Sequence, residues 1–332
     1  MSTVLESLNQ GLHQLMEGDD RVVVLGEDVL DPYGGAFKVT RGLSTRFPTR
    51  VLTTPISEGA IVGLGCGLAL RGFRPVVEIM FGDFLMLAAD QLVNSASKFG
   101  WMYNDRVTVP LVVRTPVGGR RGDGPTHSQS LEKHFLGVPG LSVVAPHVLG
   151  SPGALLAQAV RLDAPVLFIE SKACYSRPVV DAVDGMTTDV MTGEESSFPT
   201  TYLRHDRPAV DGVLWCYGGM VPLGLDAVRH LRDVEGLYVD LVVVSQLSPV
   251  PLAHIRKIVA ARRADLFVYA EEATAAFGWA AEVIACIEAH VDRPIRHERV
   301  GAVPTPIPSS RELEQRVLPQ VADIVARVLE CF

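Results

Sequence analysis

Thr53-Thr54-Pro55-Ile56-Ser57-Glu58-Gly59-Ala60-Ile61-Val62-Gly63-Leu64-Gly65-Cys66-Gly67-Leu68-Ala69-Leu70-Arg71-Gly72 reads as a loop that delivers one carboxylate, Glu58, to the start of an apolar helix. Pro55 holds the entry extended, and Ser57 is in place to cap the first turn. Gly59, Gly63 and Gly67 recur every four residues and therefore share a face. Each glycine in a helix interior costs about 1 kcal/mol relative to alanine. Three on one face imply close approach of another backbone, within the chain or across a subunit boundary. Small residues at this spacing are familiar from membrane helices, but the run is too short to cross a bilayer and ends in Arg71. A carboxylate at a helix start is already favourable with the helix dipole, so position alone does not assign Glu58 a task.

Outward from this helix the chain alternates. An apolar stripe over 3–17 (Val4, Leu5, Leu8, Leu12, Leu15) predicts a helix. Short β-branched runs predict strands at 21–29, 74–81, 110–115, 141–145 and 165–170. Helices are expected at 83–99 and 151–161, the latter with Ser151 as cap and Pro152 at its first position. Residues 179–207, rich in Asp, Thr, Ser and Pro, read as a linker. Alternation then resumes, with strands at 213–217, 238–244, 266–270 and 294–300. The helices that follow them are at 222–232, 252–262, 275–290 and 311–329. Strands separated by helices of ten or more residues imply right-handed crossovers and parallel sheets covered on both faces. The expected architecture is α/β, with two parallel-sheet three-layer domains: 1–178, a linker 179–207, and 208–332.

A chain of 332 residues fits two domains, and 48% hydrophobic with 20% charged content describes a globular protein. The net charge of −8 argues against a nucleic-acid partner. The five cysteines (Cys66, Cys174, Cys216, Cys286, Cys331) show no CxxC spacing, which points to reduced thiols, no zinc site and a cytoplasmic setting. No basic-then-apolar leader and no long apolar run is present, so neither a signal peptide nor a membrane span is expected.

Residues 114–130 follow the carboxyl end of a strand, where open parallel sheets bind ligands. Gly118, Gly119, Gly122 and Gly124 make this loop mobile or let a ligand approach its backbone. His127, at its end, has the chemistry to donate to a developing oxyanion or move a proton near neutral pH; a capping or solvent-facing histidine fits the position equally. Phe84, beyond the 74–81 strand, has the shape to stack on a planar ring. Gly122-Asp123-Gly124 looks like a diphosphate-metal motif, but the three asparagines of the chain (Asn9, Asn94, Asn104) all precede it. It therefore reads as a turn. There is no P-loop, GxGxxG after a first strand, HExxH or GxSxG.

Jointly, Gly26-Glu27-Asp28, Gly34-Gly35-Ala36-Phe37, Thr54-Pro55-Ile56-Ser57-Glu58-Gly59, Pro75-Val76-Val77-Glu78-Ile79, Phe81-Gly82-Asp83-Phe84, Asp90-Gln91, Arg114-Thr115-Pro116, His127-Ser128-Gln129-Ser130, Pro139-Gly140-Leu141, Glu271-Glu272 and Val303-Pro304-Thr305-Pro306 resemble the β subunit of the E1 component of 2-oxo acid dehydrogenase complexes, of the pyruvate and branched-chain type. The resemblance covers most of the chain. It implies a thiamine diphosphate pyrimidine-binding domain followed by a transketolase C-terminal-type domain. It also implies an α2β2 enzyme whose E1 α subunit holds Mg2+ and the diphosphate, acts with a lipoyl E2 component, and has room for a structural monovalent cation. By the family pattern Glu58 hydrogen-bonds the aminopyrimidine of thiamine diphosphate and promotes its imino form from a dry pocket. Phe84 and Ile56 contact the same ring, and His127 assists acyl transfer to the lipoyl group. Gly137, where relatives often have histidine, and Phe99–Asn104 depart from the pattern in ways that bear on substrate and E2 rather than on cofactor. Two alternatives share parts of it: a two-chain transketolase-like two-carbon transferase, and a non-catalytic scaffold that stabilises a partner.

Overall fold

The structure is a computed structural model that describes residues 2–193 and 196–332. The first helix, Val4–Gly18, is closed at its start by a reciprocal Thr3–Glu6 capping box and buries Val4, Leu8, Leu12 and Leu15. It crosses the helix Pro152–Arg161 at Gly11 and Gly153, where a Cβ on Gly11 would come within 2.7 Å of the Gly153 Cα. Ser151 caps that second helix through the Ala154 N–H, with Pro152 at its first position as expected.

Thirteen strands form two sheets among the described residues. They are β1 (Val22–Gly26), β2 (Val51–Thr53), β3 (Arg74–Glu78), β4 (Val112–Val117), β5 (Ser142–Val144), β6 (Val166–Ser171), β7 (Thr187–Gly193), β8 (Ser196–Arg204), β9 (Gly212–Cys216), β10 (Val239–Val244), β11 (Gln246–Ser248), β12 (Leu266–Thr274) and β13 (Arg296–Ala302). The first sheet runs β11-β5-β6-β4-β3-β1-β2 and the second β13-β12-β9-β10-β8-β7. Strands β1 to β6 pair parallel, as do β13, β12, β9 and β10. The central ones are rich in Val, Leu and Ile because helices cover both faces, whereas the edge strand β13 is largely charged.

Several expectations are corrected. The stretch 179–207, read as a linker, carries β7 and β8, an antiparallel pair that extends the second sheet through β10. Its threonines are β-branched and suit a pleated strand, and Phe198, Tyr202 and Leu203 are buried. Both sheets are therefore mixed rather than wholly parallel: β11 also crosses back to pair antiparallel with β5, joining the two halves. The helix expected over 83–99 is broken into a 3₁₀ turn Gly82–Phe84, a helix Leu85–Asp90 and a wide π turn Gln91–Ala96. Ser97 Oγ bonds the Val93 carbonyl at 2.8 Å at the end of that turn, a side-chain bond of the kind that bends helices. The closing helix over 311–329 is two helices, Arg311–Val317 and Val321–Leu329. Pro319 pushes Leu318 into extended geometry (ψ 141°) and has no N–H to continue the ladder.

The helix Glu58–Leu70 forms with Ser57 at its cap position, but the Ser57 side chain makes no capping bond. Of its glycine stripe, Gly59 and Gly63 face the Leu85–Ala96 segment of the same chain. A Cβ on Gly59 would lie 3.1 Å from the Leu87 carbonyl, and one on Gly63 3.4 Å from Gln91 Oε1; at Gly67 the space is open.

Two buried ionic clusters brace the architecture. Arg114, 1% exposed on β4, donates Nε to Glu170 Oε1 at 2.9 Å and Nη1 to Glu78 Oε2, linking β6, β4 and β3. Tyr175 donates to Glu170 Oε2 at 2.6 Å. Burial pushes the Glu78 carboxyl upward, against the pull of Arg114. At the seam between the sheets Tyr217 donates to Glu132 Oε1 at 2.5 Å, while Glu271 Oε2 accepts the Trp279 N–H at 3.0 Å. Burial, then the Glu132 charge, pushes Glu271 up to about 7.

Two outcomes are expected. Arg114→Met leaves two buried carboxylates without their cation and should cost about 3–5 kcal/mol. Urea denaturation measures this, and an unchanged midpoint would contradict the bracing role. For Glu271 the folded chain keeps a proton that the unfolded chain releases between the ordinary carboxyl range and about pH 7. Stability therefore falls as pH rises through that window and levels off above it. Glu271→Gln should shallow that fall, giving a smaller loss in melting temperature between pH 5.5 and 8; an identical pH slope in parent and variant would refute the assignment.

Candidate active site at the carboxyl edge of the first sheet

The carboxyl ends of β1, β2, β3, β4 and β6 converge, and each delivers one element of the site. After β1 comes Glu27. After β2 the loop Thr54–Ser57 leads to Glu58, in the first turn of its helix, where the dipole favours a negative charge. Glu58 is 5% exposed and its carboxylate has no hydrogen-bond partner among the described residues. Glu27, equally buried, leaves Oε1 unpartnered, and burial followed by the Glu58 charge pushes its carboxyl upward. Thr54 Oγ1 nearby in the chain is also buried without a partner. Two neighbouring carboxylates, one of them with a buried acceptor left unfilled, are arranged to receive hydrogen-bond donors from something outside the chain.

After β3, Phe81 and Phe84 form an edge-on pair with ring centres 6.1 Å apart. His127 closes the group, its ring 4.9 Å from Phe81 and 5.3 Å from Phe84, edge-on to both. Its Nδ1 lies 3.1 Å from Thr126 Oγ1. Gln129 donates to Asp83 Oδ1 at 2.8 Å, tying the β4 loop to the β3 turn beside Phe84. The fold thus brings His127 and Phe84 together. The close approach at Gly59 sets the Glu58 helix against the segment that follows Phe84. Ile56 stands apart: it is 82% exposed, as are in large part Leu64, Met86 and Leu87 on the Glu58 helix and the segment packed against it.

The glycine-rich loop is pinned, where the sequence suggested mobility. Glu272 on β12 accepts the Gly119 N–H at 2.8 Å, and Glu314 accepts those of Arg120 at 2.8 Å and Gly122 at 3.0 Å. Gly118 at φ 87° and Gly122 at φ 79° supply the left-handed turns that aim these N–H groups at carboxylates. The Asp123 carboxylate of the Gly-Asp-Gly turn is taken by Lys172 at 2.8 Å. Among the described residues no group of three or more His, Cys, Asp or Glu is arranged to hold a metal ion.

Sequence reasoning did not single out Glu27, Phe81, Lys172, Glu272 or Glu314 as site residues. For Glu27 the signal was present: an acid directly after a buried apolar strand, at the ligand-binding end. For Glu272 and Glu314, about 150 and 190 residues from the loop they hold, no local signal exists.

Comparison with known proteins agrees with this architecture. Residues 2–177 match the model of the transketolase pyrimidine binding domain, and 201–324 that of the transketolase C-terminal domain. The mitochondrial pyruvate dehydrogenase E1 component subunit beta-1 of Arabidopsis thaliana is 33% identical over 330 residues, 97% of this chain and 87% of the relative. The 2-oxoisovalerate dehydrogenase subunit beta of Pseudomonas aeruginosa is 34% identical over 93% of this chain and 89% of its own length. Among solved structures, a split-gene transketolase in an inactive beta4 tetramer shares the fold with a TM-score of 0.74, at 19% identity over 99% of this chain and 98% of that one. With both domain models matched in order and a third of its residues shared over nearly its whole length, the chain belongs to the transketolase-like family, in the branch of the E1 β subunits of 2-oxo acid dehydrogenases.

Proposed function

We propose that this chain supplies the pyrimidine-side half of a thiamine diphosphate site in an α2β2 2-oxo acid dehydrogenase. In this reading it oxidatively decarboxylates a 2-oxo acid together with an E1 α partner and passes the acyl group to a lipoyl group of an E2 component. The observation that carries this reading is the buried, partnerless Glu58 carboxylate at the carboxyl edge of the first sheet, beside a segment bearing the Phe84–His127 pair.

The residues present fit the cofactor. Its aminopyrimidine offers ring nitrogen and amino groups as partners for a dry carboxylate, and its flat face suits Phe84. Thiamine diphosphate supplies the nucleophilic carbon and the electron sink that decarboxylation needs. This chain's part is positional and protonic. Glu58 holds and returns a proton at the pyrimidine ring nitrogen. Glu27, its carboxyl pushed upward by burial and the Glu58 charge, lies beside Glu58 as a second acceptor facing the same ligand. Phe84 and Ile56 contact the ring. His127, against Phe81 and Phe84, is set to move a proton when the acyl group passes to the lipoyl sulfur.

Mg2+, the diphosphate and any structural monovalent cation fall outside what these side chains hold and are assigned to the α partner and to main-chain oxygens. Exposed Ile56, Leu64, Met86 and Leu87 around the Glu58 helix form an apolar face suited to that partner. A cytoplasmic, reducing setting fits the free cysteines. Burial raises the Cys66 and Cys174 thiols to about 11, which keeps them unreactive.

Dye-coupled decarboxylation of a 2-oxo acid panel, with thiamine diphosphate and Mg2+, tests the reading on this chain alone and with its co-expressed α partner. Activity only in the pair is expected. An assembled but inactive pair that instead moves two-carbon units between sugar phosphates would favour the transferase alternative, and inertness toward both would favour the scaffold. Glu58→Ala in the pair should lower turnover by ~10²–10⁴ with assembly unchanged; near-normal turnover would remove Glu58 from the chemistry.

A further inference from the structure

Lys172 directly follows β6 and opens the turn Lys172–Cys174. It is 2% exposed, and a buried ammonium persists only where its protons find acceptors. Nζ donates to Asp123 Oδ2 at 2.8 Å and to the main-chain carbonyl of His127. It also stands 5.3 Å from the centre of the Phe81 ring, within cation–π range. Phe81 in turn backs the His127 imidazole edge-on at 4.9 Å. One ammonium thus touches the loop at two points four residues apart and underlies the ring against which His127 rests.

The rest of the loop explains why such a contact matters. Residues 118–127 beyond the end of β4 belong to neither a helix nor a strand. Glu272 and Glu314 hold its first half, at Gly119, Arg120 and Gly122. Neither carboxylate accepts a hydrogen bond from residues 123–127. In that half the remaining polar contacts among the described residues are local: Thr126 Oγ1 with His127 Nδ1, a long His127 N–H bond to the Gly124 carbonyl at 3.4 Å, and a 4.0 Å approach of Arg121 to Asp123. Without Lys172 the imidazole would hang from a glycine-rich segment anchored only at its two ends, by Glu314 before it and by Gln129 on Asp83 after it.

We propose that Lys172 is a positioning residue for acyl transfer. By binding the His127 carbonyl and the Asp123 carboxylate while resting on Phe81, it fixes the imidazole against Phe84. The inference rests on the acyl-transfer role assigned to His127 above.

The test uses the holoenzyme assembled with its α partner and reads two reactions: dye-coupled decarboxylation, and acylation of a lipoyl domain. Lys172→Met should lower the ratio of acylation to decarboxylation by about tenfold, within the ~10² that a misplacement of about 1 Å costs. Tryptic cleavage after Arg120 and Arg121 should accelerate in parallel. Asp123→Asn, at an exposed residue and therefore better tolerated, should shift both readouts in the same direction by less, and it carries the test if Lys172→Met does not assemble. A parental ratio with parental cleavage in the assembled variants would overturn the inference, as would an equal loss of both reactions, which marks a merely structural lysine. His127→Ala separates the two levels. Should it leave the ratio at the parental value, the His127 assignment fails and with it the catalytic part of the inference. The cleavage rate then decides whether Lys172 holds the loop at all.

Discussion

Two carboxylates of the second half of the chain, Glu272 and Glu314, bind the N–H groups of Gly119, Arg120 and Gly122 in the glycine-rich loop that ends in His127. The rest of the site depends on this contact. A loop of this composition has a high conformational entropy, and charge-assisted bonds to its backbone are the strong kind. The carboxyl edge of the first sheet, where the candidate site lies, is therefore completed by the second domain. The seam is further closed by β11 pairing with β5 and by Tyr217 donating to Glu132. The site and the domain interface are one structure, so the two halves should not be separable without loss of the loop.

Burial of acid groups is the second theme. Glu27, Glu58, Glu78, Glu132, Glu170, Glu271 and Glu272 are all nearly inaccessible. Their solutions differ. Glu78 and Glu170 share the Arg114 guanidinium, and Glu272 takes a backbone N–H and Arg120. Glu271 is pushed up to about 7, beside Glu132. Glu27, Glu132 and Glu271 each keep one buried carboxylate oxygen without a partner among the described residues, and of these Glu27 lies beside Glu58 at the ligand-binding edge. Buried polar groups are ordinarily satisfied; two of the departures, Glu27 Oε1 and Thr54 Oγ1, lie beside Glu58 at the edge where open parallel sheets bind ligands.

The parts that could be read ahead of the structure were those carried by short-range physics. Apolar periodicity placed the helices Val4–Gly18 and Pro152–Arg161 and most of the parallel strands, because strands covered on both faces are near-continuous apolar runs. Position after a strand marked the Glu58 and His127 loops. Reading failed where a neighbour distant in sequence decided the outcome. β7 and β8 looked like linker because half their residues are polar, and β10 supplies the pairing that makes them strands. The stop at Pro319 was visible in the chain; its consequence, two closing helices rather than one, was underread.

By itself the sequence determined the α/β class, the order of most of the parallel strands and their helices, the carboxylate at the head of the glycine-bearing helix and, through a joint set of motifs, the family. Each of these rests on side-chain type and spacing within a few turns. Tertiary structure alone decided that the glycine-rich loop is held rather than free. It also brought Lys172 and His127, 45 residues apart, into contact, and left Glu27 Oε1 beside Glu58 without a partner among the described residues. The physical reason is common to all three. A hydrogen bond or a desolvated charge depends on which groups meet, and these groups meet only after the parallel strands have brought their carboxyl ends to one edge and the second domain has closed over it.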